Sequence, residues 1–221
     1  MKREYKTVRF KPWEGDYYDT SPLGVRLLIL GESHYRAADD TRPEQWTTID
    51  ALKHGRHTHQ YWTRLSCLVG KHKPAYQVDI WDSVVFYNYV QHVVGTEPRQ
   101  RPSEGMWTSD QTLDGFREVL RVANPERILV VGKRNWEMMA GGPRFFPERP
   151  PLVEEKFELP RTWRDTDGFN RNAYWYPTVP GKYALCAPIY HPAYPKGFYS
   201  EETAKTVSRL LKKDWKSPIT A

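Results

Sequence analysis

Short apolar runs stopped by a glycine or a polar residue recur along this chain, and stretches with apolar residues at helical spacing separate them. Val25–Leu30 is the first run; it ends at Gly31 and gives way to the polar tetrad Glu32-Ser33-His34-Tyr35. A short apolar run closed by a turn signal reads as a buried strand of a parallel sheet. Trp81–Val90 is the second, β-branched and aromatic, with Asn88 at its carboxyl end. Arg127–Val131 repeats the signal before Gly132, and Tyr183–Pro188 is the last strand. Helical spacing appears at Tyr61, Leu65, Leu68 and Val69, and again at Leu113, Phe116, Leu120 and Ala123, where Thr108 or Ser109 supplies the cap and Asn124-Pro125 the stop. Another helix begins at Lys133-Arg134-Asn135-Trp136 and runs to Ala140. The final helix starts from Ser200, with Glu201 and Glu202 in its first turn and Lys212 and Lys213 near its end, matching the macrodipole.

Strands alternating with helices over short links predict an α/β fold: a three-layer α/β/α sandwich around a short, mainly parallel four-stranded sheet. The length of 221 residues suits one domain spanning the chain. Residues 1–24 show no sustained period and read as an irregular leader over the sheet. Residues 143–181 hold seven of the eighteen prolines and read as a long insertion or lid.

Composition narrows the function classes. No run reaches the roughly 20 apolar residues a membrane helix needs, and the start lacks the apolar core of a signal peptide, so a cytoplasmic protein without a membrane partner is expected. Cys67 and Cys186 lack Cys-x-x-Cys spacing and read as buried thiols rather than ligands of zinc or an iron–sulfur cluster. A formal charge of +6, nine Trp and fourteen Tyr tilt the balance toward a polyanionic, base-stacking partner. His54, His57 and His59 are interleaved with Lys53 and Arg56, whose charge repels a cation; a solvated, phosphate-facing loop is the better reading, and no metal or cofactor is expected.

In an open parallel sheet the crevice beyond the carboxyl ends of the strands is where ligands bind. The four predicted strands deliver Glu32–Tyr35, Asn88, Lys133 and His191 to that edge. Gly31 allows close backbone approach, and the tetrad offers a carboxylate, a hydroxyl, an imidazole and an aromatic plate, although the same residues also make an ordinary strand end. An Asn at a strand end has the donors and acceptor that complement a base edge, and otherwise serves as a satisfied turn residue. Arg99 and Arg101 lie in a basic connector at the same rim, and Arg161, Trp163, Arg164, Arg171, Trp175 and Tyr176 add a mixture of arginine and aromatics in the proline-rich stretch.

Taken in order, these segments resemble the uracil-DNA glycosylase superfamily over roughly Val25 to Leu211. Gly31-Glu32-Ser33-His34-Tyr35 looks like a variant of that family's first motif, of the form Gly-Gln-Asp-Pro-Tyr or Gly-Glu-Ala-Pro-Gly. Val85-Phe86-Tyr87-Asn88 resembles its base-reading strand, and Arg99–Pro102 the Asn-Arg-x-Pro that follows. Ile128–Lys133 resembles the third strand and its glycine, and His191-Pro192-Ala193-Tyr194 with Gly197-Phe198 is similar to the late His-Pro-Ser loop. The resemblance implies a monomeric enzyme that flips a base out of DNA and hydrolyses its N-glycosidic bond. Under it His191 donates a hydrogen bond to the leaving base, Asn88 reads its edge, and Tyr35 or Phe86 stacks on it. Tyr194 is the wedge that fills the gap, and Arg99, Arg101, Lys133 and Lys196 are DNA contacts.

The sequence departs from the family pattern where water is positioned. Ser33 stands where many members have Asp or Asn, which makes Glu32 the first choice for holding water, Asp39 or Asp40 substitutes, and Ser33 a secondary contact. His34 replaces a proline, which opens the prospect that it acts on the substrate itself. The altered motif and the long 143–181 segment point to a base other than plain uracil, such as a bulky modified pyrimidine, in repair or in defence against DNA with decorated bases. Two other readings compete: a non-catalytic DNA-binding relative, and a Ser-His esterase using Ser33 and His191, which lacks the Asp usual three residues before the histidine because Pro188 stands there.

Overall fold

The computed structural model describes residues 3–71, 79–97, 100–140, 154–155 and 173–215. In chain order the elements are β1 (Trp13–Glu14), β2 (Leu27–Gly31), β3 (His34–Tyr35), α1 (Thr47–Gly55), α2 (Gln60–Gly70), β4 (Val84–Asn88), β5 (Val93–Gly95), α3 (Glu104–Thr108) and α4 (Asp110–Ala123). They continue with β6 (Arg127–Val131), α5 (Lys133–Met138), β7 (Glu154–Glu155), β8 (Ala173–Pro177), β9 (Tyr183–Ile189), α6 (Pro195–Phe198) and α7 (Glu201–Leu210). The fold is mixed α/β around a mainly parallel central sheet. No helix among the described residues is long and apolar enough to cross a membrane.

The four predicted strands are contiguous and mutually parallel, in the order β4-β2-β6-β9. Every residue of Leu27–Gly31 and of Arg127–Val131 is buried, as continuous apolar runs in a parallel sheet require. The sheet is wider than the four strands expected, however. Among the described residues it has seven, because β1 pairs antiparallel with β4 on one side and β8 and β7 continue antiparallel beyond β9 on the other. β1 comes from the segment read as an irregular leader, and β8 from the proline-rich stretch. Both are short, and their register is set by the neighbouring strand rather than by an apolar pattern of their own. The second predicted strand is likewise shorter than Trp81–Val90: Ile80–Ser83 is a 3-10 turn opened by Asp79, whose carboxylate accepts from the Trp81 amide at 3.1 Å.

Capping places the helices. Ser109 accepts from Thr112 N at 3.3 Å to start α4, and Asn124, left-handed at φ 46°, ends it. Ser200 accepts from Thr203 N at 3.2 Å to start α7, which packs on β6 and β9. Cys186 lies in the core, but Cys67 is exposed on α2, against the expectation that both thiols are buried. Arg161, Trp163, Arg164 and Arg171 lie outside the described residues, whereas Trp175 and Tyr176 are buried in β8 rather than facing a groove.

Candidate functional site

The ends of the parallel strands are in register. Gly31 pairs with Asn88 and Val131 with Ile189, so the polar residues after each strand emerge from one edge of the sheet. Past β2 the backbone stays ordered: Tyr89 N and Val90 N donate to the carbonyls of Gly31 and Glu32 at 2.9 Å each, and β3 then pairs with β5. The tetrad is therefore held by backbone pairing on both sides of Glu32. Gly31 has a packing reason to be glycine, since a Cβ there would sit 2.1 Å from Asn88 Oδ1 and 2.7 Å from Phe86 Cζ.

Two residues beyond β9, His191 is open to solvent, yet the protein packed around it strips water from the imidazole and lowers its pKa to about 4, with the positive charge of Arg101 adding to the effect. Covered on one side by Tyr61, at a centroid distance of 5.2 Å, and open on the other, the ring borders a space here called the recess. Its Nδ1 accepts a hydrogen bond from Ala193 N at 3.1 Å. The ring is thus neutral near pH 7 with its proton on Nε2, a donor available to whatever occupies the recess.

Glu32 forms a second wall. Burial raises its pKa, against the pull of Arg101 and Arg134; Arg101 Nη1 stands 3.8 Å from its Oε1, an ion pair too long to be a hydrogen bond, and Oε1 has no hydrogen-bond partner. Tyr61 of α2 joins the two walls. Its ring centroid is 5.2 Å from that of His191 and 6.3 Å from that of Phe86, and its phenol is pushed up by burial and by the nearby charge of Glu32. β4 and β9 are three strand spacings apart, about 14 Å, and the Tyr61 ring lies between Phe86 of the first and His191 after the second. Asn88 is half-buried beside Gly31 at the far end.

The remaining expected residues divide. Ser33 is buried, and its hydroxyl donates to the Tyr35 hydroxyl at 3.2 Å, which in turn donates to the Gln100 carbonyl at 3.2 Å. Ser33 is therefore bonded to a neighbour in the tetrad rather than to His191, and the Nδ1 of His191 is occupied by a backbone amide rather than a carboxylate. A Ser-His esterase arrangement is not assembled. His34 requires a correction: only 2% exposed, it stacks on Phe10 at 3.9 Å, and burial lowers its pKa to about 3, so it belongs to the core under the leader and not to the recess. Phe86 requires another. At 0% exposure, with its ring edge-on to Trp62 and Trp81, it supports Tyr61 from below and offers no open face. Asp40 is taken up by ion pairs with Arg42 and Arg36.

At the rim, Lys133 lies 4.0 Å from Glu137 on the same helix. Tyr194 is 48% exposed with its ring 5.2 Å from that of Tyr190, and Lys196 is exposed on α6. Arg99 lies outside the described residues. Three residues that the sequence did not single out belong here. Tyr61 read as one more apolar position of α2; Arg134 lies within the electrostatic reach of Glu32 and donates to the Pro102 carbonyl at 2.8 Å; Asn135, fully buried, donates from Nδ2 to the carbonyls of Leu30 at 3.0 Å and Gly31 at 2.9 Å. No sequence signal marked Tyr61 or Asn135, because each contact is made across more than a hundred residues or on a helix face that looks like core. The histidine cluster is exposed, as expected of a solvated segment; His59 Nδ1 accepts from Tyr61 N at 3.2 Å to cap α2, and His57 Nε2 lies 3.4 Å from Asp79. Among the described residues no group of three or more His, Cys, Asp or Glu could hold a metal ion.

Comparison with protein-family models finds none that matches this chain, and comparison with curated proteins finds no match in sequence.

Proposed function

We propose that this protein is a DNA glycosylase that takes a damaged or modified base, a pyrimidine by our reading, out of the helix and hydrolyses its N-glycosidic bond to leave an abasic site. The observation that carries the reading is the presence, at one sheet edge, of a neutral imidazole holding its proton on Nε2 and of a carboxylate whose Oε1 is buried without a hydrogen-bond partner. Cleavage of this bond leaves an oxocarbenium-like sugar and places negative charge on the departing base. A neutral donor suits that charge, because its hydrogen bond strengthens as the C1′–N bond breaks and the electron pair passes to the base. Glu32, with its pKa raised by burial, orients the water and takes its proton as oxygen bonds to C1′.

Tyr35 supplies the plate against which the flipped base lies, and Asn88 reads the base edge. Arg101, Arg134, Lys133 and Lys196 surround the opening with positive charge for the phosphates, and Tyr194 enters the stack. This reading carries with it a relationship to the uracil-DNA glycosylase superfamily, a three-layer arrangement of helices about the sheet, a monomer, a cytoplasmic setting, and DNA as the partner in repair or in defence against modified DNA.

The experiment is incubation with duplexes carrying uracil, hydroxymethylcytosine or glucosylated hydroxymethylcytosine at one position, followed by alkali. Strand breaks at that position that vanish in His191→Ala are expected. Salt-sensitive binding without an abasic product on any duplex would instead leave a DNA-binding protein with no glycosylase activity.

A further inference from the structure

We infer that helix α2 holds the His191 imidazole in its working position, with Tyr61 packed on the ring and Arg64 bonded to the peptide that grips its Nδ1, which makes both of them positioning residues. The two side chains are three positions apart and share one face of α2. Arg64 Nη1 donates to the Pro192 carbonyl at 2.7 Å. That carbonyl and the Ala193 amide belong to one planar peptide unit, and the Ala193 N–H is the group that donates to His191 Nδ1 at 3.1 Å. The guanidinium therefore fixes the plane of the peptide that selects the tautomer. It also draws electron density toward the carbonyl, which strengthens the donor at the other end of the same unit. Tyr194 N closes the turn on the His191 carbonyl at 2.8 Å, and the Arg64 guanidinium lies 5.9 Å over the Tyr199 ring, so the loop is gripped on both sides of the imidazole.

α2 is a firm base for this grip. Leu65, Leu68 and Val69 anchor it in the core, His59 caps its start, and it contacts α7. The charged or titratable groups facing His191 are Arg101 from the connector and Tyr61 from α2, and Glu32 lies within reach of both. The placement of the imidazole follows from geometry alone; its consequence for base release rests on the glycosylase reading.

The test uses the full chain with ¹⁵N-labelled histidine, the His191 signal being assigned by its loss in His191→Ala. Long-range ¹⁵N–¹H correlation should show the wild-type ring neutral with its proton on Nε2 at pH 7. Arg64→Met should convert this to a mixture of tautomers, and Arg64→Lys, which keeps a donor, should retain most of the Nε2–H form. Tyr61→Leu should raise the titration midpoint by about one pH unit as water enters, with Tyr61→Phe close to wild type. Arg101→Met serves as a control that moves the midpoint and leaves the tautomer alone. Circular dichroism and melting confirm that each variant is folded. On a cleaved duplex, Arg64→Met should lower kcat about tenfold with little change in KM. An unchanged tautomer in Arg64→Met together with an unchanged midpoint in Tyr61→Leu would overturn the inference. If both change as expected and no duplex releases a base, the grip on the imidazole stands and the glycosylase reading falls.

Discussion

Two glutamates, Glu118 buried and Glu32 half-buried, are treated in opposite ways. Glu118 on α4, 5% exposed, accepts from the backbone amides of Lys6, Thr7 and Val8 at 2.7, 2.6 and 3.0 Å and from the Thr7 hydroxyl at 2.7 Å. Burial alone would push its pKa up, but these donors more than offset that and hold it below the ordinary value. Glu32 at the sheet edge has one ion pair at 3.8 Å, an oxygen without a hydrogen bond, and a raised pKa. A carboxylate surrounded by donors ties the leader to the body of the protein. A carboxylate with one oxygen withdrawn from water and left without a donor costs stability, a cost that the proposed role of Glu32 would account for.

The contrast is sharpest when each glutamate is removed. Glu32→Gln and His191→Ala should each lower base release by about 10²- to 10⁴-fold, read as abasic sites per unit time, while melting stays level. A raised carboxylate pKa means that the folded state holds the proton more readily than the unfolded chain, so the ionised group weakens the fold above its pKa and the neutral amide removes that penalty. Glu32→Gln should thus be neutral or stabilising by up to about 1 kcal/mol in denaturant melts. Glu118→Ala should do the reverse. It leaves four donors facing a cavity and should cost about 2–4 kcal/mol, with base release per folded molecule retained. Its lowered pKa gives stability that is present above the ordinary carboxylate range and lost as pH falls through the folded-state value, so the variant should also show a shallower acid limb. Equal effects of the two substitutions on stability would mean that the two carboxylates are not held differently.

A second contrast, between two histidines of lowered pKa, should produce a smaller effect. His34 at about 3 and His191 at about 4 both stay neutral in the fold while the unfolded chain takes up protons near 6.5. Stability is therefore complete above about 6.5 and falls as pH drops toward the folded values. His34 is sealed in the core and has the larger shift, so it should carry the larger share of this loss, on the order of a few kcal/mol, and His191, partly screened by solvent, the smaller share. Melting His34→Gln and His191→Gln between pH 7 and pH 4 checks this: the slope should flatten in both and more in the first.

The parts legible in the sequence were those governed by local chemistry. Continuous apolar runs ending in Gly31 and Gly132 marked buried parallel strands, and Ser109, Asn124 and Ser200 marked helix ends, because burial on both faces and orphan backbone groups leave direct traces in residue type. β1 and β8 left none, since two to five residues that pair with an existing strand need no apolar period. Glu32, Asn88 and His191 could be placed at one edge because the strand ends of a parallel sheet share it. His34 and Phe86 were misplaced for one reason: the same residue types serve a packed core and a binding face, and only neighbours such as Phe10 and Trp62 decide which. Tyr61, Arg64 and Asn135 could not be seen because their roles depend on partners brought together by the fold.

The smallest effects are expected at the rim, where the comparison with the recess becomes one of affinity against chemistry. Tyr194 is nearly half exposed and touches Tyr190, while the nearby Gly197 is pressed so closely that a Cβ would meet Tyr190 Cδ2 at 2.5 Å and Tyr194 Cδ1 at 2.7 Å. The loop therefore offers Tyr194 outward on a stiff base without burying it. Tyr194→Ala should leave stability within about 0.5 kcal/mol, because little apolar surface leaves the core. It should weaken duplex binding by about 1–3 kcal/mol, the worth of one aromatic contact with a base, with the dependence on salt unchanged because no charge is lost. Lys196→Gln should instead reduce the salt slope by about one ion with a modest loss of affinity. Fluorescence titrations at several salt concentrations separate the two, and a tyrosine variant that altered the slope, or a lysine variant that did not, would show that this rim does not meet DNA in the way the recess requires.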